Sequence, residues 1–165
     1  MFSKFKDDWS PDDAPNAIVV DLDNTLALLN GRSPYRGDLC EGDSPDPAVL
    51  WLIRSTLLLD PRMSEVAVIF LTGRNESART ATQLWLRSIG VFAWEALIMR
   101  AEDDWRPSDV YKLDKLQNEI IPAYNVLFML DDDDRVVRVV RELGIACWQS
   151  RDRLNDEGDH DGKNG

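Results

Sequence analysis

Asp21 and Asp23 stand two residues apart at the end of an apolar run, in the string Asp21-Leu-Asp23-Asn-Thr25. A spacing of two along an extended strand puts both carboxylates on one face. One can then attack an electrophile while the other handles protons. Further along the chain come Thr72-Gly73-Arg74, then Lys112, then four consecutive aspartates, Asp131 to Asp134. Phosphoryl transfer asks for these parts: an in-line nucleophile, a proton donor for the leaving oxygen, and positive charge around the equatorial oxygens. Thr72 and the backbone N–H groups beside it, that of Gly73 included, suit phosphate oxygens, and Lys112 supplies a fixed positive charge. A hard cation such as Mg²⁺ would screen carboxylate from phosphate, with Asp131 and Asp132 as natural ligands.

Each part alone is weak. With 22 aspartates in 165 residues, roughly three D-x-D pairs arise by chance. Thr72-Gly-Arg74 also reads as a plain strand-to-helix turn. An acidic run commonly sits at a helix start, where the helix dipole favours negative charge, and a lone lysine is usually a surface lysine. The order in which the four occur, each at or near the end of an expected strand, is what carries the reading.

Five short β-rich apolar runs position these residues: 17–22, 66–71, 96–99, 126–130 and 145–148. Helical patterns at 47–59, 76–89, 109–121 and 133–143 lie between them. The alternation predicts an α/β fold with a parallel sheet buried on both faces. Residues 16–150 read as one domain, 1–15 as a charged arm, and 151–165 as a disordered polar tail. In such sheets ligands bind beyond the carboxyl ends of the strands. That edge is where the polar residues gather.

Composition narrows the classes further. The formal net charge is −11, which argues against a surface that covers long nucleic acid and leaves room for a small basic pocket at one phosphate. His160 is the only histidine and Cys40 and Cys147 the only cysteines. His-rich zinc sites and disulfide frameworks are therefore not expected, and a reducing, cytoplasmic location is. No apolar run is long enough to span a bilayer, so no membrane partner is expected.

The order D-x-D-x-T, T-G-R, lysine, acidic pair resembles the haloacid dehalogenase (HAD) superfamily of phosphohydrolases. Three stretches sharpen the likeness: Asn30-Gly-Arg32-Ser-Pro34-Tyr35, Arg106 to Lys112, and Val136-Val137 through Gly144-Ile-Ala-Cys147-Trp148-Gln149. They resemble the 3′-phosphatase domain of phage polynucleotide kinase-phosphatase, over about residues 17–149. The resemblance implies a HAD-like Rossmannoid three-layer sandwich. It implies Asp21 as nucleophile and Asp23 as general acid/base, with Thr25 among the residues that bind phosphate or substrate. Arg32, Thr72, Gly73, Arg74 and Lys112 would hold the phosphate, with Asp109 positioning Lys112. Mg²⁺ would sit at Asp21, Asp23 (through its carbonyl), Asp131 and Asp132. The substrate implied is a 3′-phosphorylated DNA or RNA end, met in the host cytoplasm if the protein is phage-encoded.

Some residues depart from the pattern. Four aspartates precede Arg135 where two are usual; the spacing to Val136-Val137 favours Asp131 and Asp132, yet Asp133 and Asp134 adjoin the arginine. Ser108 stands where an aspartate is common. No G-x-x-x-x-G-K-[S/T] loop occurs, so a phosphatase without a kinase domain is expected. The segments after Thr25 and after Arg74 are too short for a sizeable cap. An open site suits a large substrate, although a partner subunit, as in a homo-oligomer, could also cover it.

Other readings are a phosphatase for free nucleotides or small phosphate esters, and an inactive phosphate-binding module. A receiver-like module would need its acidic pair after the first strand and its lysine last, the reverse of the order here. Cys147 and Arg153 match C-x₅-R, but the loop lacks glycine and no helix follows to lower the thiol pKa.

Overall fold

The computed structural model describes residues 14–58 and 66–150. The expected arm, except Ala14 and Pro15, lies outside these residues, as do the expected tail, His160 and Arg153. Strand β1 (Asn16–Val20) is followed by a two-residue antiparallel ladder of β2 (Ala27–Leu28) with β3 (Ser44–Pro45). Then come α1 (Pro47–Leu58), β4 (Val66–Asn75), α2 (Arg79–Ser88) and β5 (Ala96–Arg100). Helix α3 (Ser108–Lys115) runs on into a wider π turn, Leu116–Ile120, before β6 (Asn125–Asp131), α4 (Asp134–Glu142) and β7 (Cys147–Gln149).

The main sheet has the order β5-β4-β1-β6-β7 with every pair parallel. The period of two in β1 divides the core. Ile18 and Val20 join Val68, Phe70, Ile53, Trp85 and Leu86 on the face covered by α1 and α2. Ala17 and Val19 join Ile69, Leu71, Tyr111, Leu116, Val136 and Val140 under α3 and α4. The result is a three-layer α/β/α sandwich with β1 central. The chain moves from one side of β1 to the other between β5 and β6, which makes the carboxyl end of β1 the switch point where such sheets bind ligands.

Helix starts follow local chemistry. Pro47 opens α1 and the Asp46 carboxylate accepts from the N–H groups of Ala48 (3.0 Å) and Val49 (3.1 Å), satisfying donors that the first turn leaves unpaired. Asp133 caps α4 by accepting from the Arg135 N–H at 3.0 Å. The helix expected from residue 76 opens as a 3₁₀ turn, Glu76–Ala78, before α2 begins. Two strands differ in length from expectation. β1 stops at Val20, and β4 continues past Leu71 to Asn75, which pairs with Arg100 across an irregularity in the ladder. Thr72-Gly73-Arg74 therefore lies on extended backbone within β4 rather than in a turn after it.

Loops 26–46 and 101–107 add only the small ladder and a 3₁₀ segment, Gly37–Gly42, so no sizeable cap covers the carboxyl edge. Among the described residues no helix is long and apolar enough to cross a membrane. Leu86, fully buried between α2 and the sheet, reports on this packing: Leu86→Ala is expected to lower the unfolding free energy by about 3 kcal/mol, measured by urea denaturation.

Candidate active site

The chain turns sharply where β1 ends. The Asp21 N–H still donates to the Leu130 carbonyl of β6 at 3.0 Å, so Asp21 stays anchored to the sheet. The buried Leu22 then offers its carbonyl to the N–H groups of Thr25 (3.1 Å) and Ala27 (2.7 Å). Asn24 closes this turn with φ of 61°, a left-handed conformation that asparagine tolerates better than most residues. The strand alternation expected to align Asp21 with Asp23 does not extend this far, and the two carboxylates join different clusters.

Asp21 belongs to the first. Its carboxylate and those of Asp131 and Asp132 each offer an oxygen within 4.8 Å of the others, and all three residues are buried. The Lys112 ammonium, from α3, donates to Asp21 at 2.7 Å and to Asp131 at 2.6 Å. The other Asp131 oxygen accepts from the Asp133 N–H at 3.0 Å. Burial pushes the Asp21 carboxyl well above the usual carboxylate range; Lys112 pulls it back, while Asp131 and Asp132 add to the rise. Burial alone would depress the Lys112 ammonium, but Asp131 and Asp21 outweigh it and hold the group charged. Three hard oxygen donors that repel one another fit a small divalent cation such as Mg²⁺. Asp133 faces Arg135 (2.9 Å) and Asp134 pairs with Gln149, so among the four aspartates Asp131 and Asp132 are the two that converge on Asp21.

The second cluster is a ring of two carboxylates and two guanidiniums. Asp23 accepts from Arg32 at 2.7 Å and from Arg74 at 2.7 Å. Asp43 accepts from Arg32 at 2.6 Å and 2.9 Å and from Arg74 at 3.2 Å. Arg74 also donates to Thr82 Oγ at 3.1 Å and lies over the Trp85 ring, 5.7 Å from its centroid. The Trp85 indole N–H in turn donates to the Asp43 carbonyl at 3.0 Å. Charge-assisted bonds at these lengths are the strong kind, and both arginines are nearly desolvated. The ring balances two carboxylates against two guanidiniums, and every guanidinium nitrogen of both arginines already has a partner.

The remaining expected residues divide. Thr72 Oγ accepts from the Arg74 N–H at 3.2 Å, and Gly73 lies against the Arg100 guanidinium. Thr25 shares a 3.1 Å hydroxyl bond with Ser150 at the end of β7. Asp109 stands apart from Lys112's bonded partners, and its Oδ1 is buried with no hydrogen-bond partner among the described residues. The sequence reading missed Asp43, Thr82 and Ser150. Gly42-Asp43-Ser44 carries no motif, and only folding brings Asp43 to arginines 11 and 31 residues away.

Comparisons with known proteins agree on a relationship. The model of the family described as the polynucleotide kinase PNKP phosphatase domain matches residues 15–153. A protein of Autographa californica nuclear polyhedrosis virus, provisionally named a bifunctional polynucleotide kinase/RNA ligase, is 31% identical over 134 residues, which are 81% of this chain and 19% of that protein. A chain in the structure of the Pnkp1/Rnl/Hen1 RNA repair complex superposes with a TM-score of 0.75 at 33% identity, over 82% of this chain and 42% of that one. A chain in a second structure of the Pnkp1/Rnl/Hen1 complex gives 0.75 at 32%, over 83% and 46%. This chain thus spans about a fifth of the viral relative's length and under half of each solved chain.

Two measurements check the clusters. Asp43→Asn is expected to lower the unfolding free energy by about 3 kcal/mol, because it leaves desolvated guanidiniums short of a partner; chemical denaturation reads this. The raised Asp21 carboxyl means that the metal-free fold binds the extra proton, so its stability falls as pH rises above the unfolded value. Mg²⁺ is therefore expected to raise the melting temperature more at about pH 7.5 than at about pH 4.5, with Asp131→Asn removing the difference.

Proposed function

This chain belongs to the polynucleotide kinase phosphatase-domain family of HAD-like folds, and from that premise we propose that it removes 3′-phosphates from nucleic-acid ends through an aspartyl-phosphate on Asp21. The observation that carries the reading is the convergence of Asp21, Asp131, Asp132 and Lys112 at the carboxyl end of the central strand. That set combines a nucleophile, a fixed cation and two further hard ligands in one buried place.

In the first half-reaction an Asp21 carboxylate oxygen attacks phosphorus and the bond to the 3′ oxygen breaks. Asp23 gives the leaving 3′ oxygen its proton. In the second half-reaction a water oxygen attacks the phosphorus of the acyl phosphate, and Asp23 takes the water's proton. The bond to Asp21 then breaks, releasing inorganic phosphate and restoring both carboxyl groups. Arg32 and Arg74 fix Asp23 through bonds of 2.7 Å each and are the nearest guanidiniums to it for the equatorial oxygens. Thr72, the Gly73 N–H and Lys112 would complete the phosphate's surroundings. Mg²⁺, held by Asp21, Asp131, Asp132 and the Asp23 carbonyl, would neutralise charge between nucleophile and phosphate. The open carboxyl edge favours a polymer end over a small ester that needs enclosure.

The test is phosphate release from a 3′-phosphorylated oligonucleotide, from free nucleotides and from p-nitrophenyl phosphate, with Mg²⁺ and with EDTA. Magnesium-dependent release from the oligonucleotide is expected, and Asp21→Asn should lower it by at least about a thousandfold while keeping the fold. Release from nucleotides alone would keep the chemistry and overturn the substrate. Turnover surviving in Asp21→Asn would overturn the mechanism.

A further inference from the structure

Two large aromatic side chains stand almost fully in solvent on loops tied to the site. Trp105 is 85% exposed and Tyr35 is 94% exposed. Exposed aromatics occur elsewhere too, Trp51 on α1 and Phe92 before β5 among them, so exposure alone assigns nothing. What sets these two apart is how their loops are held.

Trp105 lies in the loop from β5 to α3. Arg100 Nη1 donates to the carbonyls on either side of it, those of Asp104 (3.3 Å) and Arg106 (2.7 Å). The same guanidinium stacks on the Tyr111 ring at 4.4 Å and lies 3.7 Å from where a Cβ would stand on Gly73. Arg106 bonds Asp104 at 2.6 Å and Asp114 at 3.0 Å. The loop is thus fixed to the phosphate-facing Thr72-Gly73-Arg74 strand on one side and to α3, the helix of Lys112, on the other. Its large apolar ring is nevertheless left out in water.

Tyr35 follows Arg32 in the loop before the Gly37–Gly42 turn. Its N–H donates to Ser33 Oγ at 3.3 Å, and the Arg36 N–H donates to the Ser33 carbonyl at 3.0 Å. Tyr35 thus lies three residues beyond Arg32, and Trp105 in the loop that leads into the helix of Lys112.

A chain of net charge −11 has little to gain from neutralising many backbone phosphates. Stacking on aromatic rings is the attraction that does not require basic surface, and it tolerates any base. We propose that Tyr35 and Trp105 are stacking platforms for the bases next to the 3′-phosphate, so that the site takes a single-stranded nucleic-acid end. The inference rests on the 3′-phosphatase reading, and its test separates the two.

Binding of a fluorescein-labelled, 3′-phosphorylated single-stranded oligonucleotide is measured on the full chain carrying Asp21→Asn, and KM and kcat on the chain with Asp21 intact. Trp105→Ala and Tyr35→Ala are each expected to weaken binding and raise KM about tenfold, with kcat changed by less than about twofold. Trp105→Phe and Tyr35→Phe keep a ring and should restore most of the loss. The p-nitrophenyl phosphate reaction is the internal reference, so the ratio of the two kcat/KM values should fall. Unaltered oligonucleotide binding in both alanine variants, or an equal loss on both substrates, would overturn the platforms. Absence of turnover on either substrate by the parent would instead sink the phosphatase reading, and the binding arm would still decide the role of the rings.

Discussion

A lysine ammonium with only 3% of its side chain exposed is tolerable only if anions meet it with good geometry, and that requirement organises the molecule. Lys112 bonds Asp21 from the central strand and Asp131 from its neighbour, residues 91 and 19 positions away. Removing one partner of such a pair typically costs several kcal/mol because the other charge is stranded. The three elements must therefore meet within about a bond length's tolerance. β1 and β6 are held in register by the sheet. α3 is held by burying Tyr111 and Leu116 against it, with Arg100 stacked on the Tyr111 ring. The same arrangement that satisfies the ammonium places three carboxylates close enough to repel, so the fold stores a demand for a cation at the point where chemistry is proposed.

The arginine ring solves a different problem. Arg32 and Asp43 both come from the segment between β1 and α1, where regular structure is confined to the ladder of β2 with β3 and a 3₁₀ segment. Leu22, Leu26, Ala27 and Cys40 anchor the segment in the core. Alternating charges then bind it to Asp23 and to Arg74 of β4, and the Trp85 indole secures Asp43 from α2. Buried ion pairs of this kind are poor sources of net stability. They are good at permitting one arrangement and refusing others, which is what a site needs if it must present two guanidiniums at fixed positions.

The layered fold was legible in the sequence because short β-rich runs, apolar on both faces as in β1, alternate with helix-length patterns, which fits buried parallel strands joined by crossover helices. Asp21, Thr72 and Asp131 were legible for the same reason, since each ends or borders such a run, and Lys112 falls near the start of the helical pattern before the fourth. Other features were not. Asp23 leaves the line of Asp21 because of the Asn24 turn, and no alternation rule reaches past a strand's end. β4 runs on through Gly73 because β5 supplies a partner at Arg100, a tertiary effect that overrides glycine's preference for turns. Asp43 looked like any of 22 aspartates, since its role is defined by residues distant in the chain.

The acidic composition can now be weighed against a nucleic-acid substrate. Net charge describes the sum, whereas a ligand senses the field near its own site, within a Debye length of about 8 Å at physiological salt. Asp21, Asp43, Asp131, Asp132 and Asp133 are all buried, and four of them are bonded to Lys112, Arg32, Arg74 or Arg135. These carboxylates count fully toward −11 but are spent internally on ion pairs rather than displayed. Exposed acid elsewhere on the surface still repels a long polyanion. Lys112, Arg32 and Arg74 are buried in the same way and are paired with carboxylates of the two clusters, so they too are spent internally. Burial and pairing therefore decide which charges a ligand meets, and the total of −11 by itself neither requires nor excludes contact with a single phosphate.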